Sequence, residues 1–160
     1  MQQVAGKGIQ DFVATATATR RRGGGASSNA LPPVEEQLDN AERRARTGDW
    51  DSACGATMVG LYALCHRMIY GIVPEELREP GTFKVASRVA ARFVRSHFEG
   101  DWSMAAQFLK WCWEREKGRH SWALANGVQR SRLSWRLQFS ATMLTDWKVG
   151  RFNPHRTRRA

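Results

Sequence analysis

Three thiols and four imidazoles are the side chains of widest chemical repertoire in this 160-residue chain. Cys54, Cys65 and Cys112 stand 11 and 47 residues apart, and His66, His97, His120 and His155 are scattered around them. A structural zinc site needs ligands paired a few residues apart, and a disulfide framework needs an even count of cysteines. Neither pattern is present. Cys65 and His66 set a nucleophile beside a base in sequence, but consecutive helix residues do not face each other. The thiols are therefore expected as buried, reduced core residues, in keeping with a reducing cytoplasm. Among the carboxylates, Glu75, Glu76 and Glu79 cluster around a proline turn and read as a solvated acidic face. Glu114 and Glu116 lie amid Arg115, Lys117 and Arg119, where ordinary surface pairing accounts for them. Gly23 to Gly25 follow no strand, as a phosphate-cradling loop requires. No catalytic, cofactor-binding or metal-ligating residue is assigned, no cofactor is implied, and enzymatic activity is not expected.

The cations carry more information. Residues 34–79 have a net charge of −4, whereas residues 80–160 reach +11 and residues 1–33 add +3. A positive half interleaved with Trp and Phe points to a polyanionic partner, most often nucleic acid, with DNA favoured over RNA here. Lys84, Arg88, Arg92 and Arg95 recur at spacings of four, four and three, a basic stripe on one side of a helix. Arg132 and Arg136 share a helix face and, with Arg119 and Arg130, form a second group; Lys148 and Arg151 follow. Each phosphate so neutralised steepens the salt dependence of binding by close to one log–log unit. Trp135 or Trp147, if exposed, offers a stacking surface for a base; an i, i+4 pair such as Trp135 and Phe139 more often packs into a core.

The elements that position these residues are helical throughout. Residues 1–33 read as a disordered basic arm: an Ala-Thr repeat, Arg20 to Arg22 and a glycine run bury too little apolar surface to offset chain entropy. A helical domain spans residues 34–150, and residues 151–160 form a loose basic tail. Val34, Leu38, Ala41 and Ala45 define a first helix that Gly48 ends. Asp49 or Asp51 is expected to cap a second helix, with Met58, Leu61, Tyr62, Cys65, Met68 and Ile69 as its apolar set and Gly71 as its stop. Pro74 opens a short helical turn. Thr82 is the candidate cap of a third helix, whose apolar side holds Val85, Ala86, Val89, Ala90, Phe93 and Val94. Asp101 caps a fourth, with Met104, Ala105, Phe108, Leu109, Trp111 and Cys112 facing the core. One or two further helices occupy residues 121–149, broken near Asn126-Gly127 and Ser140. No alternating strand pattern appears, so the chain is expected to be all-α, a compact bundle of five or six helices. No run of about 18 apolar residues is present, so no membrane span is expected, and the N-terminus does not read as a secretory signal.

Gly48-Asp49-Trp50 with Ala53 is echoed by Gly100-Asp101-Trp102 with Ala105. The spacing is 52 residues, not the roughly 34 of tetratricopeptide units, and two copies of a helix-start device explain it without a solenoid. A helix-turn-helix across residues 82–125 requires the linking turn Ser96 to Asp101 to be shorter than it reads, and leaves only Ser103 and Gln107 for base edges.

Trp111-Cys112-Trp113-Glu114-Arg115-Glu116, Trp135-Arg136-Leu137-Gln138-Phe139-Ser140 and Leu144-Thr145-Asp146-Trp147-Lys148-Val149 together resemble small helical proteins of bacteriophages and mobile elements. Leu137 to Phe152 is similar to the C-terminal helical segment of phage replication-initiation and helicase-loading proteins, although Ser140-Ala141 stands where that segment has Arg-Pro. The resemblance covers under a third of the chain and assigns no site residues. It implies a phage accessory protein working near DNA or the replisome, in the host cytoplasm. Two functions are carried forward: non-specific nucleic-acid binding near replication or packaging, and a protein–protein module (helicase loader, host-factor inhibitor or virion component) without nucleic-acid contact. The opposite charges of the two halves also leave room for homo-oligomers.

Overall fold

The computed structural model describes residues 34–152, the side chains of Arg151 and Phe152 excepted. The expected N-terminal arm and the tail beyond Phe152 lie outside the described residues. Six α-helices follow in order: α1 Val34–Thr47, α2 Gly55–Tyr70, α3 Pro80–Phe98, α4 Trp102–Ala125, α5 Trp135–Gln138 and α6 Ala141–Phe152, with a 3₁₀ turn at Glu75–Arg78. No strand occurs among the described residues, and the all-α class read from the sequence holds.

Helix α2 is the axis of the bundle. Every residue from Gly55 to Leu64 is buried, the signature of a helix enclosed on all sides rather than lying on a core. Helices α1, α3, α4 and α5 all pack against it. Two glycines set how closely they come. A Cβ on Gly60 would stand 2.6 Å from the Gln37 carbonyl oxygen of α1, and one on Gly55 1.9 Å from the Ser87 carbonyl oxygen of α3. Neither obstacle is a side chain able to swing aside. Met68, expected in the core, is instead exposed, because it points to the outer side of a turn whose His66, Ile69 and Tyr70 pack inward. Val85 is also exposed, since it falls on the cationic side of α3, while Phe83, Ala86, Ala90, Phe93 and Val94 face inward.

Several helix starts differ from the sequence reading. Neither Asp49 nor Asp51 caps α2; Cys54 does, its N–H donating to the Thr57 hydroxyl at 3.1 Å. Asp49 closes the preceding turn by accepting from the Asp51 N–H at 3.0 Å. The buried Arg44 holds that turn from inside, donating to the carbonyls of Asp49 and Asp51. With the loop so occupied, Cys54 is exposed, against the expectation for all three thiols. Cys65 and Cys112 do sit inward, and burial pushes each thiol up to about 12. Helix α3 begins at Pro80 rather than after Thr82, because a proline at the first position needs no N–H partner. It runs on to Phe98, so only Glu99, Gly100 and Asp101 link it to α4. Glu99 and Gly100 both take left-handed backbone, and Asp101 caps α4 by accepting from the Met104 N–H at 3.0 Å. The turn therefore has helix-turn-helix length, yet the outward residues at the start of α4 are few and small.

Aromatic rings join the remaining helices to the axis. Phe93 and Phe98 of α3, Phe108 of α4, Phe139 just after α5 and Trp147 of α6 meet at centroid distances of 5.5 to 6.0 Å. Such pairs contribute about 0.5–1.5 kcal/mol each beyond burial. Trp135 and Trp147 are both core residues, 2% and 8% exposed, which removes them as stacking platforms. Beside them Gln138 is fully buried with neither amide atom hydrogen-bonded among the described residues.

The glycines give a paired test. Gly60→Ala should lower unfolding free energy by about 3 kcal/mol through forced separation of α1 and α2. Gly118→Ala, mid-helix in α4 with nothing within 4 Å of the added methyl, should raise it by about 1 kcal/mol. Urea denaturation of both variants reads the difference.

Candidate nucleic-acid interface

Helix α3 presents Lys84, Arg88, Arg92 and Arg95 to solvent along one side, all four exposed. Successive cations are separated by about 6, 6 and 4.5 Å along the axis, from spacings of four, four and three residues at a 1.5 Å rise. No carboxylate occurs between Pro80 and Phe98, and none of the four makes an ion pair among the described residues. The apolar side of the helix fixes this arrangement: once Phe83, Ala86, Ala90 and Phe93 turn inward, the stripe has no direction but outward.

The second cationic group is built around a buried carboxylate. Glu116, expected on the surface, is 7% exposed on the inner side of α4. Arg130 grips it with both terminal nitrogens, at 3.0 and 3.3 Å. The Tyr70 hydroxyl donates to it at 2.7 Å and accepts from the Leu133 N–H at 2.9 Å. Tyr62 donates to the Leu133 carbonyl at 2.6 Å. Two tyrosines of α2 thus occupy both backbone groups of one loop residue, and burial, ahead of any other cause, raises both phenols well above the usual tyrosine range. The connection between α4 and α5 is thereby fixed to the axis of the bundle.

That connection borders an open cleft of about 610 Å³ lined by Tyr70, Glu116, His120, Leu124, Val128, Arg130 and Arg132, among others. His120 meets the Tyr70 ring edge-on at 5.1 Å, and the Arg132 guanidinium lies 5.7 Å from the same ring centre. Arg119 is half-buried without an ion-pair partner among the described residues. Burial first, then repulsion from Arg115 and Arg130, lowers its pKa. Arg115 is held by Asp146 of α6 at 3.2 Å and lies over the Trp111 ring at 4.8 Å.

The cations singled out from the sequence therefore fall into distinct environments. Lys84, Arg88, Arg92 and Arg95 form the α3 stripe. Arg130 and Arg132 line the cleft, Arg130 already neutralised by Glu116, while Arg119 lies on a neighbouring side of α4. Arg136 lies over the Trp135 ring at 4.3 Å on α5, and Lys148 is exposed on α6. Arg151 belongs to α6, its side chain outside the described residues. Tyr70, His120 and the 59%-exposed Trp122 did not emerge from the sequence as site residues. A signal for Glu116 was present: it follows Cys112 and Trp113 at helical spacing on the apolar side of α4. Among the described residues no group of three His, Cys, Asp or Glu is placed to hold a metal ion, and no helix is long and apolar enough to cross a membrane. The chain matches no protein-family model, no curated protein and no solved structure.

Two outcomes follow from this geometry. Tyr70→Phe removes the bonds to Glu116 and Leu133 together, and should cost about 2 kcal/mol and speed hydrogen exchange at the Leu133 amide. His66 is buried beside Tyr70, its Nδ1 2.6 Å from the Ile72 carbonyl, and burial lowers its pKa. The unfolded chain then takes up a proton before the folded one, so this contribution to stability is complete above about pH 6.5 and is lost as pH falls further. Melting temperatures between pH 7 and 5 should fall less in His66→Gln than in the native protein.

Proposed function

We propose that this protein binds nucleic acid without sequence preference, as a small all-α accessory protein of the bacteriophage type acting near DNA replication or packaging. The observation that carries the reading is the outer side of α3, where four exposed cations stand with no carboxylate along the whole helix. Cations held by the protein's own acids, as Arg130 and Arg115 are, have little left for a phosphate. Those of α3 keep their full charge for a polyanion and the counterions they displace. The stripe has no side chains suited to reading bases, which fits binding by backbone charge alone. Such a role places the protein in the cytoplasm of its host and asks for no catalytic group.

A second reading, a protein–protein module, is favoured by α1. Its outer side presents Glu35, Asp39 and Glu42, and the Asp39 carboxyl is raised by partial burial and then by repulsion from Glu42. Glu35 is paired with Arg78, but Asp39 and Glu42 make no ion pair among the described residues, and acid of this kind suits a basic partner surface, a second copy of α3 included.

Fluorescence anisotropy with random-sequence DNA should show affinity falling steeply between low and moderate salt. Combined substitution of Lys84, Arg88, Arg92 and Arg95 by Gln should reduce the log–log slope by about 3 to 4 units and leave the melting temperature unchanged. Binding that ignores salt, or none at low salt, rules the reading out. Light scattering at the same salts reports any self-association through α1.

A further inference from the structure

Helix α4 repeats the four, four, three spacing of the α3 stripe with a different composition: Trp111, Arg115, Arg119 and Trp122 fall along one side. The far end of this row is open. Trp122 is 59% exposed, the most accessible aromatic ring among the described buried and exposed hydrophobic residues. Helical side chains lean over the turn before them, and the residue there, Gly118, brings no side chain to cover the ring and has nothing within 4 Å of a would-be Cβ. The near end is rigid, with Arg115 stacked over Trp111 and tied to Asp146. Between them Arg119 makes no ion pair among the described residues, and Arg115 and Arg130 repel it more than Glu116 and Asp146 attract it.

We propose that this side of α4 is a track for single-stranded nucleic acid, with Trp122 stacking on an unpaired base and Arg119, one turn away on the same side, taking the adjacent phosphate. The proposal rests on the nucleic-acid reading above and names the form of strand bound. An exposed indole has little to gain from a duplex, whose bases already stack on each other, whereas a single strand offers free ring faces. The α3 stripe makes no such distinction, because phosphates are present in both forms. Charge favours a polyanion over an apolar protein segment as the occupant: Arg119 stands beside Trp122 with no ion pair among the described residues, and the Asp146 carboxylate near it is engaged by Arg115.

The test uses the full-length chain with a labelled random-sequence oligodeoxynucleotide, single-stranded and as a duplex of equal length. The native protein should prefer the single strand. Trp122→Ala should weaken single-strand binding about tenfold and leave duplex binding within about twofold, while Trp122→Phe restores most of the loss. Because Trp122 is exposed, circular dichroism melts of all three proteins should coincide. Equal affinity for both strands in the native protein, or a preference that Trp122→Ala leaves intact, overturns the track while the nucleic-acid reading stands. Absence of binding to either form at low salt overturns both. If Trp122→Ala instead alters the mass seen by light scattering and spares single-strand affinity, the surface joins copies of the chain and the track is likewise overturned.

Discussion

Two carbonyl oxygens, Gln37 on α1 and Ser87 on α3, approach α2 where only a glycine can stand. That closeness is the constraint from which the remaining architecture follows. With both neighbours drawn in, α2 loses water along ten consecutive residues, and its apolar character all round becomes an advantage instead of an aggregation hazard. Once α2 is enclosed, the amphipathic helices have one orientation available. Their apolar sides turn to the axis, and the charges of α1 and α3 are committed to solvent.

The polar network at the far end of α2 does a different task. A buried carboxylate is unfavourable unless each oxygen is engaged, and Glu116 meets that condition through Arg130 and Tyr70. The same hydroxyl that engages it also captures the Leu133 amide. A connection of irregular backbone is thereby ordered by the helix it runs past, and the cations it bears acquire defined positions. Arrangement of this kind lowers the ordering cost of any ligand these residues meet.

Much of the bundle was legible in the sequence, because the signals involved are local. Helical periodicity marked α1, α3 and the first half of α4, and Gly71, Gly100 and Asp101 act where their types suggest. The errors have a common origin in tertiary contacts. Asp49 is an excellent cap by type, but Arg44 reaching in from α1 commits that loop to another shape and leaves the role to Cys54. Thr82 yields to Pro80 two residues earlier. Met68 has a core residue's chemistry, yet at the last turn of α2 only the side bearing His66, Ile69 and Tyr70 meets neighbouring helices, and Met68 is on the other. The α3 stripe was visible for the same reason as the helices, since four residues at fixed spacing need no partner to define them. The spacing of Glu116 after Cys112 and Trp113 hinted at its burial, but its pairing with Tyr70, 46 residues away, and the exposure of Trp122 depend on contacts between helices distant in sequence.

The placement of Gly55 and Gly60 has one more consequence. Five residues along a helix turn it through about 140°, so α3 and α1 dock on nearly opposite flanks of α2. The cation-bearing helix and the acid-bearing helix are therefore held apart, with the axis of the bundle between them. A phosphate chain lying along α3, as proposed, would stand on the opposite flank of α2 from the carboxylates of α1, which it would not have to displace.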